Sequence, residues 1–99
     1  MNIIEENISS ISELCRQYNV KSVYLFGSVL TENFSSYSDV DFLVNFKQIN
    51  LHNYFDNYME FKEKLEQLLN RKVDLLEEQT ISNPVLRRSI DSNKKLIYG

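Results

Sequence analysis

The stretch Leu25-Phe26-Gly27-Ser28, then ten residues, then Asp39-Val40-Asp41-Phe42-Leu43-Val44 decides how this chain is read. Ser22 to Phe26 is short and rich in strand-forming residues, and Gly27-Ser28 ends it. Asp39 to Phe46 forms a second strand by alternation. Val40, Phe42 and Val44 share one face, and Asp39 and Asp41 share the other. Residues 31–38 between them read mostly as turn or loop.

Working outward, Ile4, Ile8, Ile11, Cys15 and Tyr18 recur at helical spacing and predict an amphipathic helix over 2–18, stopped at Asn19. Leu51, Tyr54, Phe55, Tyr58, Phe61, Leu65, Leu68 and Leu69 trace a second helix over 51–69, closed by Asn70. Lys72 to Leu76 is a third strand. Ser82-Asn83-Pro84 opens a last helix that runs to about Asp91, with Pro84 in its first turn. Leu96-Ile97-Tyr98 is either a short edge strand or a tail on the core. The order α-β-β-α-β-α predicts a small α/β unit of the α+β kind, with helices packed mainly on one face of a short mixed sheet.

The 99 residues allow one domain, 1–99, with a modest core. Hydrophobic residues make up 42% and charged residues 25%, the balance of an ordinary globular protein. No apolar run is long enough to span a membrane, and Met1 to Glu6 lacks the order of a signal peptide. Cys15 is the single cysteine, which excludes an internal disulfide, and its place on an apolar stripe predicts a buried, inert thiol. A cytoplasmic location fits. The net charge of −3 argues against a general nucleic-acid binder, and no direct sequence-specific nucleic-acid binding is expected. Charge is unevenly spread. Residues 1–70 hold 5 Lys/Arg against 10 Asp/Glu, and residues 71–99 hold 6 against 4. Arg87, Arg88, Lys94 and Lys95 are either solvated surface or contacts for an anionic ligand or partner.

Each part of the opening stretch has a chemical reason. Gly27 permits a sharp turn and the close approach of a phosphate. Ser28 offers a hydroxyl and a backbone N–H to a phosphate oxygen. Asp39 and Asp41 project together, and paired carboxylates are comfortable when a cation sits between them. Mg²⁺ suits such hard oxygen ligands together with substrate phosphates. Asp74 interrupts the apolar run Val73-Asp74-Leu75-Leu76, where a charge is costly without a partner. If its strand neighbours that of Asp39 and Asp41, three carboxylates meet. They can hold two metal ions, or Asp74 can serve as general base. His52 opens a helix with no visible companion ligand and reads as a surface residue. Tyr54, Phe55, Tyr58 and Phe61 read as core or partner-facing surface.

The stretch from Leu25 to Val44, with Val73-Asp74-Leu75 after it, resembles the polymerase-β-like nucleotidyltransferase superfamily. More narrowly it is similar to the minimal nucleotidyltransferase (MNT) antitoxins, which pair with HEPN-domain ribonuclease toxins. The resemblance spans nearly the whole chain. It implies transfer of a nucleoside monophosphate, AMP from ATP, to a hydroxyl with Mg²⁺. Gly27 and Ser28 would hold the triphosphate, and Asp39, Asp41 and Asp74 would bind metal or activate the acceptor. In such antitoxins the acceptor is a tyrosine of the toxin. The chain departs from the pattern after Gly27-Ser28, where the family commonly places an arginine and a second glycine and this sequence has Val29-Leu30-Thr31-Glu32. That departure supports a second reading, an antitoxin of the same fold that neutralises its partner by binding alone. A small-molecule nucleotidyltransferase is a third reading, for which so short a chain leaves little acceptor surface.

Overall fold

The computed structural model describes residues 2–27 and 39–99. Among these residues four strands, β1 (Val20–Phe26), β2 (Val40–Phe46), β3 (Val73–Glu77) and β4 (Lys95–Tyr98), form one sheet in the order β3-β2-β1-β4. β1 runs antiparallel to both β2 and β4, whereas β2 and β3 are parallel. Parallel neighbours need a long crossover, and helix α3 (Leu51–Leu69) supplies it. Among the described residues the other α-helices are α1 (Asn2–Glu6), α2 (Ile8–Gln17) and α4 (Pro84–Asn93), and a short 3-10 turn, Glu78–Thr80, follows β3. The closing Leu96-Ile97-Tyr98 segment is an edge strand, which resolves the two alternatives for it. No helix among the described residues is long and apolar enough to cross a membrane.

The alternation in β2 sets the core. Val40, Phe42 and Val44 are fully buried, and Val23, Leu25, Val73 and Leu75 extend the same layer across the sheet. Ile11 and Cys15 of α2 and Phe61, Leu65 and Leu69 of α3 pack on it. Phe46 meets Tyr54, Tyr58 and Phe61 edge-on, with ring centroids 5.8, 6.4 and 6.0 Å apart. The Tyr58 hydroxyl donates to the Leu75 carbonyl, so a side chain of α3 covers part of the outer edge of β3. Lys94, just past α4, sits with Nζ 4.4 Å from the ring centroid of Tyr24, on the face opposite Val23 and Leu25.

Asparagines punctuate the elements. Asn19 and Asn70 take left-handed conformations, φ 62° and 52°, at the ends of α2 and α3. Asn50 accepts from His52 N at 3.0 Å, and Asn83 accepts from Val85 N and Leu86 N at 2.9 and 3.3 Å, with Pro84 in the first turn. The single helix expected over 2–18 is broken at Asn7. The Asn7 side chain donates to the Ile3 carbonyl at 2.7 Å, a local bond that competes with the helical ladder.

Candidate active site

β1 ends at Phe26, which pairs with Asp41 of β2, and Asp41 pairs in turn with Asp74 of β3. Residues paired across a ladder project to the same side, so both carboxylates leave the sheet together on the face away from α3. Their strands lie about 4.8 Å apart, close enough for the two carboxylates to share a ligand. Asp39 sits one residue ahead of β2 and is exposed. The Val40 amide donates to the Lys72 carbonyl at 3.1 Å, which holds the start of β2 against the approach to β3.

Gly27 closes the arrangement. Its φ is +77°, a conformation that disfavours any Cβ. A Cβ there would also land on Oδ2 of Asp41 and lie 3.0 Å from its Cγ. The glycine therefore makes room for a carboxylate as well as for a turn. Sequence reasoning assigned Gly27 to phosphate approach and missed this contact, because nothing in the chain between them signals that Phe26 and Asp41 are opposite each other.

Asp74 corrects one expectation. It is exposed, so its carboxylate reaches solvent rather than the apolar interior. The two-residue period explains this: Val73 and Leu75 are buried and point into the core, and Asp74 points the other way. Its charge is nevertheless felt through the sheet edge. The Tyr58 hydroxyl is pushed up from its ordinary pKa, first by burial and second by the negative charge of Asp74.

Ser28 and Val29 to Glu32 lie outside the described residues. Among the described residues, no group of three His, Cys, Asp or Glu side chains is drawn together tightly enough to hold a metal ion. The donor set of Asp39, Asp41 and Asp74 is all carboxylate oxygen, which matches the chemistry of Mg²⁺. The basic residues near the C-terminus divide. Arg87 bonds to the Glu78 carboxylate at 3.1 Å and carbonyl at 3.3 Å and lies 3.9 Å from Asp91, and Lys94 reaches Asp91 at 3.0 Å. Those two cations are engaged within the fold. Arg88 and Lys95 are exposed. His52 is exposed at the start of α3, as expected of a surface residue.

A family model described as polymerase beta, nucleotidyltransferase, matches residues 9–99. The chain belongs to that nucleotidyltransferase family. Two archaeal relatives of this nucleotidyltransferase, both from Methanocaldococcus jannaschii, are named as proposed protein adenylyltransferases. One is 37% identical, over 94% of this chain and 98% of its own length. The other is 33% identical, again over 94% and 98%. Among solved structures, a proposed minimal nucleotidyltransferase superimposes with a TM-score of 0.76 at 26% identity, covering 92% of this chain and 89% of that one. A toxin-antitoxin structure with AMP-PNP gives 0.72 at 25% identity, covering 94% and 73%. A complex of a tri-AMPylated HEPN toxin from Shewanella oneidensis with its MNT antitoxin gives 0.66 at 23% identity, covering 96% and 71%, a likeness of fold.

Proposed function

We propose that residues 1–99 act as one nucleotidyltransferase domain, an antitoxin that transfers AMP from ATP to a tyrosine hydroxyl of a HEPN-type partner toxin in the cytoplasm. The observation that carries the reading is the register of Asp41 with Asp74 beside Gly27, which groups carboxylates at the end of a buried strand. The relatives named for protein adenylylation support the group transferred. The similar toxin-antitoxin structure with AMP-PNP supports the nucleotide and a toxin as partner.

In this reading Gly27 and Ser28 would hold the triphosphate through backbone N–H groups and the serine hydroxyl. Asp39 and Asp41 would hold Mg²⁺, with Asp74 as a third ligand or as the base that takes the acceptor proton. Bound there, Mg²⁺ would neutralise triphosphate charge and ease deprotonation of the acceptor. Attack by the tyrosine oxygen forms the new O–P bond at the α-phosphorus. The α–β phosphoanhydride bond breaks, and pyrophosphate leaves with its electron pair. The exposure of Asp74 suits an acceptor delivered by another protein, because that carboxylate is reachable from solvent.

Intact-mass spectrometry of this chain mixed with a HEPN toxin, ATP and Mg²⁺ tests the proposal. The toxin should gain one or more nucleoside monophosphates, and the gain should vanish with Asp41→Asn. An unmodified toxin that is inhibited in a stable complex would favour neutralisation by binding alone, the reading supported by the missing arginine after Ser28.

A further inference from the structure

A second surface lies on the other face of the sheet, where α3 begins. Leu51, Phe55 and Met59 recur every fourth residue and are 88%, 69% and 41% exposed. Positions so spaced rise about 6 Å and rotate about 40° per step, so they form a continuous apolar ridge roughly 12 Å long. It is offset from the buried stripe of Phe61 and Leu65, which is why no core residue covers it. Large apolar side chains grouped in this way on a small domain mark an interaction surface.

The ridge starts at the mouth of a cavity of about 460 Å³ lined by Phe46, Ile49, Leu51, Tyr54, Glu77 and Gln79. Two polar groups there lack partners among the described residues. The Tyr54 hydroxyl is shielded from solvent with no hydrogen bond. Glu77 is half-buried, and its carboxylate makes no hydrogen bond or ion pair. Burial alone pushes its pKa up, as expected of a carboxylate without a cation. The Glu77 carboxylate beside the aromatic walls of Phe46 and Tyr54 suits a protonated amine or a guanidinium. The exposed flank of α3 adds Asp56, Glu60 and Glu63 beside the ridge. Lys47 lies at the cavity rim and half-buried Lys62 continues the ridge's own line past Met59, so the acids border the ridge along the flank of Asp56 and Glu63.

We propose that this ridge and cavity dock a basic amphipathic helix of a partner protein. Its apolar residues lie along Leu51, Phe55 and Met59, and one Lys or Arg enters beside Glu77 and Tyr54. Charge complementarity selects this occupant: an apolar ridge beside acids and a desolvated carboxylate repels an acidic segment. The Tyr58 bond to the edge carbonyl of Leu75 disfavours strand addition at that point. The proposal rests on the reading that this chain has a protein partner, and it is independent of nucleotide transfer. Asp74 projects from the opposite face of β3, so a helix docked on α3 leaves the acidic pair open.

The test titrates the isotope-labelled chain with two synthetic helical peptides and follows backbone amide shifts. One peptide carries Leu at i, i+4 and i+8 with Lys and Arg flanks, and the other has Glu in place of every basic residue. Saturable shifts at Leu51 to Met59 and at Glu77 are expected with the basic peptide, and binding about tenfold or more weaker with the acidic one. Phe55→Ser and Glu77→Gln should each weaken the basic peptide roughly fivefold while the remaining spectrum stays native. ATP turnover is not a readout, so loss of the transferase reading would leave this result standing, and the reverse. Absence of saturable shifts at millimolar basic peptide, equal binding of the two peptides, or shifts centred on Val85 and Leu86 of α4 would overturn the proposal. A dimer of the chain that Phe55→Ser abolishes would also overturn it, by giving the ridge to a second copy.

Discussion

Asp41 of β2 and Asp74 of β3 stand opposite each other in a parallel ladder, 33 positions apart in sequence and one strand apart in space. Helix α3 makes that possible by carrying the chain back along the sheet. The pair lies beside Gly27, whose missing Cβ leaves the space that the Asp41 carboxylate fills.

Asp41→Asn should reduce AMP transfer by about 10²–10³-fold, the range seen when one electrostatic stabiliser of a transition state is removed. The fold should hold, since a side chain of the same shape replaces the charge and like-charge repulsion with Asp74 is relieved. Thermal melting with and without Mg²⁺-ATP gives the check. A variant whose melting temperature rises with Mg²⁺-ATP as much as the parent's would contradict the metal assignment.

Asp74→Asn separates its two possible roles. As general base it should lose about 10²–10⁴-fold in turnover while keeping most Mg²⁺-ATP affinity. As a metal ligand it should lose both together. Single-turnover rates measured beside nucleotide titrations distinguish the two patterns.

Gly27→Ala should destabilise the protein by about 1–2 kcal/mol from the left-handed backbone alone. It should lose transfer as well, because the added methyl displaces the Asp41 carboxylate. Urea denaturation read beside activity tests this. A variant with parental stability and rate would show that Asp41 reaches its ligand from another position.

Cys15 should resist thiol reagents between pH 7 and 9 and react once the chain is unfolded. Burial pushes its pKa from the ordinary 9.0 up to about 12, with the nearby charge of Arg16 opposing weakly. The folded state therefore disfavours the thiolate. This stabilisation relative to the unfolded chain is complete below pH 9.0 and falls away as the pH rises toward about 12. Comparing urea midpoints of the parent and Cys15→Ala across that window isolates the contribution. A difference between them that stays constant with pH would show that the thiol titrates alike in both states.

The sequence by itself determined the local facts. The two-residue period placed Asp39 and Asp41 on the polar side of β2, and the three-and-four spacing from Leu51 to Leu69 placed α3. Asn19, Asn70 and Asn83 marked helix ends because each acts through its own side chain or its tolerance of a left-handed backbone. The same chemistry at Asn7 split the first helix, and the regular spacing of Ile4, Ile8 and Ile11 masked that break. Tertiary structure alone decided which strands are neighbours, and so the pairing of Asp41 with Asp74 and the contact of Gly27 with Asp41. It also decided that Tyr54 and Tyr58 turn inward around Phe46 while Phe55, on the same helix, stays 69% exposed. The physical reason is that periodicity records which side of an element is apolar. Strand order and register are set by how those apolar sides fill one shared core, and that depends on residues far apart in the chain.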